Sequence, residues 1–341
     1  MIPVLLTVAG VAVLLAVWAS VLHTLLPSQA PPRAARWSAR WVTLAVTPLG
    51  RRLSRAPRER VMALAAPLGL FLMLSSWLLG IGIGCVLLAA GIAGTGVVSE
   101  ELGRFFALDT TGATQIIGVV WWLSAISVVG AFVAYLVAVT NAYGRRELLA
   151  ARLSARAARP PDAERILATY IRSGRRDELD DLFAEWTGWL ADVRCSHVNY
   201  PSLVYIRPAS ELCWLQAAVI MLDAAALLEA IAPSWALPFT QALLDTGIRC
   251  VERMGADLDI RLATQTVSLQ GREQFGFDDT TRVTTAAGLP AERSPREAWQ
   301  IFQDMRTRYA PLATAMAQSL LHDMVDARSA PFADATVRGE K

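Results

Sequence analysis

The sequence predicts an all-α, helical integral membrane protein, with three transmembrane helices followed by a helical cytosolic domain. Three observations predict it. Apolar side chains make up 54% of the 341 residues, and the excess sits before residue 145. Three stretches there are each long enough to cross a bilayer core, which takes ~20 apolar residues. Beyond Pro161, apolar residues recur on a 3.6-residue period and no alternating strand series is seen.

Residues 1–26 form the first element. Ile2–Leu26 holds no charged side chain, and His23 is its one titratable group. A signal peptide would begin with a basic region and carry a shorter apolar core. No Lys or Arg precedes this segment, so it reads as a permanent anchor.

Residues 27–60 form an Arg-rich cytoplasmic loop. Arg33, Arg36, Arg40, Arg51, Arg52, Arg55, Arg58 and Arg60 face a single acid, Glu59. Trp37, Trp41 and Leu44 recur at helical spacing beside Arg33, Arg36 and Arg40. That is the pattern of an interfacial helix drawn to anionic lipid. The alternative is a flexible basic loop. On the first reading Arg33, Arg36, Arg40, Trp37 and Trp41 contact the membrane surface, joined by Arg145 and Arg146 after the third span.

Residues 61–94 hold the second span. Its apolar run from Val61 to Ala93 exceeds one bilayer thickness, so it should tilt or begin at the interface near Pro67. Gly80, Gly82, Gly84, Gly91 and Gly94 would let another helix approach closely; ordinary glycine usage in spans is the competing reading. Residues 95–114 form a short extracytoplasmic loop, and residues 115–143 the third span. Trp121, Trp122 and Tyr143 mark the levels of aromatic belts. Gly130 falls mid-span, as a hinge or a close-packing site. None of the spans holds Asp, Glu, Lys or Arg. That argues against a proton-coupled transporter and against voltage sensing by these helices.

The loops set the orientation. Loop 27–60 is basic, and so is the segment after the third span, with Arg145, Arg146, Arg152, Arg156 and Arg159. The loop 95–114 carries Glu100, Glu101 and Asp109 against Arg104. The positive-inside rule then puts the N-terminus and the acidic loop outside and the C-terminal half in the cytoplasm.

Residues 144–159 read as a basic helical stalk. Arg145, Arg152, Arg156 and Arg159 share one face, and Pro160-Pro161 stops the helix. Such a stalk could transmit movement; a solvated basic face near headgroups is the plainer reading. Residues 160–341 form the cytosolic helical domain. Helices are expected over Glu164–Ile171, Glu178–Val193, Pro233–Met254 and Ala298–Val325, with a turn at Val198–Arg207. Trp214–Ala232 is apolar enough to imitate a fourth span, but contains Gln216, Asp223 and Glu229. An Asp at a span centre costs ~2.5–3.5 kcal/mol, so this segment reads as a core helix.

Few groups in the chain support chemistry. The formal net charge is +2 and Lys341 is the one lysine, a bias that fits base composition as readily as phosphate or headgroup binding. Neither nucleic acid nor a cofactor is expected as a partner. The cysteines, Cys85, Cys195, Cys213 and Cys250, give no disulfide framework. Cys195 and His197 lack the second ligand pair of a zinc site. With His23, His197 and His322 the only histidines, there is no metal-binding His pair, phosphate loop or nucleophile elbow. The sequence therefore predicts no catalytic, cofactor or metal residues and no enzyme. Asp278-Asp279 and the cluster of Asp177, Asp180 and Asp181 read as solvated turns or helix faces.

Short motifs carry a resemblance. They are Asn141-Ala142-Tyr143-Gly144-Arg145-Arg146-Glu147, Ser196-His197-Val198-Asn199-Tyr200-Pro201, and Trp214-Leu215-Gln216-Ala217-Ala218 with Leu222-Asp223. Trp299, Phe302, Arg306 and Tyr309 belong with them. In these the chain resembles bacterial potassium-channel-like membrane proteins with an N-terminal anchor, a two-helix pore unit and a helical cytosolic domain. The resemblance implies the bacterial inner membrane, a lipid bilayer environment, a homo-oligomer and potassium or another cation as the ion.

One departure bears on all of this. A potassium filter needs a pore helix and a glycine-rich re-entrant strand whose carbonyls replace the ion's hydration shell. Loop 95–114 is short, and its nearest candidate is Thr110-Thr111-Gly112, without the second Gly, the aromatic and the Asp. The expectation is a channel-like subunit with a degenerate, non-conducting or non-selective pore. The alternatives are a working channel with an unusual filter, or a membrane-anchored sensor or scaffold acting through residues 160–341.

Overall fold

The computed structural model describes residues 2–26, 33–93, 113–156, 162–208, 212–260 and 272–321. Every regular element among them is helical: α1 (Ile2–Leu25), α2 (Arg33–Arg51), α3 (Arg55–Ala63), α4 (Ala65–Ala93), α5 (Ala113–Arg156), α6 (Ala163–Arg172), α7 (Arg176–Asn199), α8 (Trp214–Ile231), α9 (Pro238–Asp257), α10 (Arg272–Ala286), α11 (Pro295–Thr307) and α12 (Ala310–Leu320). Short 3-10 turns cover Pro201–Tyr205 and Pro233–Trp235. The chain divides into two compact units. The first is Met1–Tyr143 with Ser196–Arg207, and the second is Gly144–Cys195 with Pro208–Lys341.

In the first unit, α1 and α4 lie antiparallel, and glycines set their distance. A Cβ on Gly10 would meet the Gly84 carbonyl oxygen at 2.8 Å and the Leu88 amide nitrogen at 2.9 Å. A Cβ on Gly80 would strike Val17 at 2.6 Å, and one on Gly91 the Pro3 carbonyl at 2.8 Å. Contacts thus run down α1 as they run up α4. Gly80, Gly84 and Gly91 are four and seven residues apart, so they share one helix face. Gly82 points elsewhere, with the Trp121 ring 3.2 Å from where a Cβ would be. Gly80, Gly82, Gly84 and Gly91 are close-approach sites, as small residues between apolar helices commonly are; Gly94 lies outside the described residues.

Most of the remaining apolar surface of α1, α4 and α5 is uncovered. Leu5, Leu15, Phe71, Leu79, Ile116, Leu123 and Ile126 are all more than half exposed. In the most apolar stretches of α1, α4 and α5, only 17, 28 and 22% of residues are buried. Patches of that extent do not face water, and these long apolar helices mark a membrane-embedded protein. Gly130 has no atom within 4 Å of where a Cβ would be, so no close packing occurs there.

Helix α2 is two-faced. Ser38 and Val42 are buried, and the helix packs on α4 and on the turn Pro201–Tyr205. Trp37, Trp41 and Leu44 lie on a different face, at least half exposed, and the two indoles meet edge to face at 6.3 Å. The segment Ser196–Arg207 completes this unit. Ser196, His197, Ser202, Leu203 and Val204 are buried, and the Tyr200 ring meets Tyr135 edge-on at 5.5 Å. Tyr143 donates to the Arg207 carbonyl at 3.2 Å, and Arg207 pairs with Glu59 at 3.6 Å.

The second unit is built around α8. Here 94% of the apolar stretch is buried, with α6, α9, α11 and α12 packed around it. Gly247 lets α9 approach, since a Cβ there would collide with the Leu222 side chain. Asp223 is buried but satisfied: one carboxylate oxygen accepts from Arg306 Nε at 3.1 Å and from Tyr309 Oη at 2.6 Å. Arg293 donates to the Ala230 carbonyl at 3.2 Å and also to that of Glu229, closing the C-terminus of α8 with a cation.

Two expectations change here. The helix expected over Ala298–Val325 is two helices, α11 and α12, because Tyr309 leaves helical geometry and α12 starts with a proline in its first turn. Helix α10 has no counterpart among the expected helices. Its buried face is Phe277, Thr280 and Thr284, and Thr281, Thr284 and Thr285 donate to carbonyls four residues back at 2.7–3.0 Å. Threonine can be buried in a helix when its hydroxyl finds such an acceptor. Asp278 and Asp279 lie on the exposed face of this helix, Asp279 paired with Arg282.

Candidate functional site

The second unit holds a cavity of about 430 Å³ formed by the end of α5 with α6 and α7. Helix α7 lies antiparallel to the end of α5. Arg145 pairs with Asp192 at 3.2 Å and Arg152 with Glu185 at 3.1 Å, seven residues apart on each helix. Both pairs are about half exposed, so each contributes only ~0–1 kcal/mol; their use is to fix the register. Between them Trp189 Nε1 donates to the Arg146 carbonyl at 3.2 Å. Leu149, Ala150 and Leu153 face inward and are buried.

The floor of the cavity is apolar: Leu149, Leu153, Ile166, Leu182 and Trp186. Among the described residues its rim carries Arg152, Arg165 and Arg172 with Glu185, and Asp162 lies beside Arg165. Arg165 leans on Asp162 at 3.6 Å, and Arg172 donates through Nε to the Ala168 carbonyl at 3.1 Å. Seven residues separate Arg165 from Arg172, two turns of α6, so both reach the same side. The buried face of α6, with Ile166, Leu167 and Ile171, leaves no other side for them. Volume, floor and rim match a small-molecule pocket, for which ~300–1,000 Å³ is usual.

The predicted site residues fall in several places. Thr110, Thr111 and Gly112 lie outside the described residues, as does most of loop 95–114. The side chains of Arg33, Arg36 and Arg40 also lie outside them, while Trp37 and Trp41 are exposed on α2. Gly130 sits within the unbroken helix α5. Arg145 is exposed and paired with Asp192. Arg146 is the exception to the surface reading: it is 2% exposed, and its guanidinium lies over the Trp214 ring at 4.8 Å. So enclosed a cation serves the fold of the second unit and cannot reach lipid headgroups. The rim arginines Arg165 and Arg172 were not singled out in the sequence; the signal for them was their seven-residue spacing.

The residues that carried the family resemblance are mostly interior. Asp223, Arg306 and Tyr309 form one buried cluster, and Phe302 and Trp299 stack around Phe277 at 5.2 and 5.3 Å. Cys213 and Cys250 are buried and Cys195 is exposed. Burial pushes the Cys250 thiol up to about 12. Among the described residues no group of three metal-type ligands comes together. Comparison of the chain with protein-family models, curated proteins and solved structures returned no match.

Proposed function

We propose that the protein is a three-span membrane protein, channel-like in plan but not itself an ion conduit, that works as a membrane-anchored sensor through its helical domain. One observation carries this reading. The cavity of about 430 Å³ is walled by Leu149, Arg152 and Leu153, which continue the helix that also carries the third apolar segment. A ligand in that cavity would bear on the end of a membrane helix. Helix α8 is a core helix on this reading, since its whole circumference is taken by neighbours and none is left for lipid. The domain then lies in the cytoplasm of a bacterial cell, by the positive-inside rule.

Potassium flux into proteoliposomes tests the non-conducting part. The expected flux equals that of empty liposomes and does not change in Gly112→Asp. Selective flux abolished by Gly112→Asp would overturn it.

A second reading, a homo-oligomeric channel with Thr110-Thr111-Gly112 as an unusual filter, is favoured by one observation. The α5 face bearing Ile126, Val129, Val133 and Val137 around Gly130 is uncovered, which leaves room for another copy or for lipid. Cross-linking of an Ile126→Cys variant in membranes distinguishes them. Symmetric oligomers linked at residue 126 favour the assembly, and exclusive monomers favour lipid.

A further inference from the structure

We infer that the cavity between the end of α5, α6 and α7 takes an anionic amphiphile, its apolar chain on the floor and its carboxylate or phosphate head on the arginine rim. This rests on, and deepens, the sensor reading above.

The floor and the rim make different demands. Leu149, Leu153, Ile166, Leu182 and Trp186 offer a surface that water solvates poorly and a hydrocarbon chain would cover. A neutral apolar ligand would satisfy these residues alone. It would leave Arg152, Arg165 and Arg172 lining one cavity, with Glu185 and Asp162 the acids beside them among the described residues. Three like charges repel one another, and each guanidinium carries five donors in a fork that fits a carboxylate or phosphate. Glu185 and Asp162 occupy part of that capacity, through Arg152 and Arg165. Arg152 and Arg165 are each about half exposed, so a ligand head can approach them from solvent. An anion at the opening balances the rim, and a chain attached to it fills the floor.

Position along the chain favours the same class. Leu149 lies six residues beyond Tyr143, where the apolar segment ends. On the three-span reading Arg152 is a juxtamembrane cation in sequence, of the kind that anionic lipid headgroups attract, and a free single-chain acid is the other source. Both sources present the same chemistry.

The test uses the full chain in nanodiscs of phosphatidylcholine, with tryptophan fluorescence as the readout. Trp186 lies on the cavity floor, and bromine quenches an indole that it touches. One arm titrates 11-bromoundecanoate, with its methyl ester as the neutral control. The other arm adds phosphatidylglycerol brominated on its acyl chains to the disc. The expected result is saturable quenching by the acid, at least about tenfold weaker for the ester, and weakened about tenfold in Arg152→Gln/Arg165→Gln. Both substitutions are on exposed side chains, and an unchanged helical circular dichroism spectrum would show that the variant is folded. Arginine-dependent quenching in the lipid arm assigns the source to the membrane; quenching in the acid arm alone assigns it to a free acid. Quenching that is equal for acid and ester and indifferent to the arginines is bulk partitioning and would overturn the proposal. So would the absence of any arginine-dependent quenching in both arms. Ion flux does not enter this readout, so the non-conducting reading can fail while the binding stands.

Discussion

Helices α4 and α8 are both apolar and both long enough to cross a membrane, yet the structure treats them oppositely. Helix α4 packs on α1 along one glycine-lined face and on α2, yet only 28% of the residues in its most apolar stretch are buried. Helix α8 is enclosed by four other helices, and its one buried acid is matched by Arg306 and Tyr309. Hydropathy measures what a segment would prefer to touch, not what is there to touch it. The deciding quantity is how much of the circumference the rest of the chain covers, and whether polar groups on it find partners.

The comparison can be broken most sharply at Asp223. Asp223→Ala leaves Arg306 enclosed without its carboxylate and should destabilise the second unit by ~3–5 kcal/mol, while Asp223→Leu with Arg306→Met should recover most of the loss. Thermal unfolding of the detergent-solubilised chain, followed by exposure of buried thiols, reads both. An Asp223→Ala variant as stable as the parent would show that α8 is not enclosed. The converse substitution on α4, Leu79→Asp, should cost ~2.5–3.5 kcal/mol in membrane insertion and leave the second unit's stability alone.

The next largest effect concerns the glycine seam. Gly10→Leu drives a side chain into the backbone of Gly84 and Leu88, which cannot rotate away, and should cost ~1–3 kcal/mol. Gly130→Leu meets nothing and should be close to neutral within the single chain. Equal melting temperatures for the two variants would contradict the close approach of α1 and α4.

Thiol chemistry sharpens the comparison further. Of the chain's 4 cysteines, Cys195 should react with maleimide in the native protein, and Cys85, Cys213 and Cys250 only after unfolding. Cys250 adds a pH dependence. An unfolded chain loses this proton near 9.0, and the folded one holds it to about 12. The stability is therefore intact below pH 9 and is lost as the pH rises towards 12.

The smallest effect lies at Glu292. Its carboxylate accepts from the Ser234 hydroxyl and amide, which holds it below its ordinary 4.5. A depressed carboxylate adds stability above its unfolded value, and that stability is lost as the pH falls through the folded one. Glu292→Gln should remove this slight acid sensitivity below pH 4.5 and change nothing at neutrality, as read from acid titration of helicity.

How legible was this in the sequence? The long apolar segments and the helical character of the remainder were, because both follow from apolar runs and a 3.6-residue period. Helix α10 was not, since its buried face uses threonines that periodicity counts as polar. The break at Tyr309 was not, because it depends on a side chain committed to Asp223, 86 residues away. The cavity depends on three helices meeting, and only the seven-residue spacing of Arg165 and Arg172 hinted at it. Arg146 looked like its exposed neighbour Arg145, and only the placement of Trp214 separates the two.

The central claim is that α8 is a core helix, so residues before and after it lie on one side of the membrane. Cys195 precedes α8, and the exposed Asp245 follows it. In a background of Cys85→Ala, Cys213→Ala and Cys250→Ala, Cys195 and an Asp245→Cys thiol can be labelled with a membrane-impermeant maleimide, before and after permeabilising the cells. The account predicts that both thiols are protected in intact cells and that both react after permeabilisation. Labelling of one in intact cells and not the other would make α8 a fourth span and contradict it.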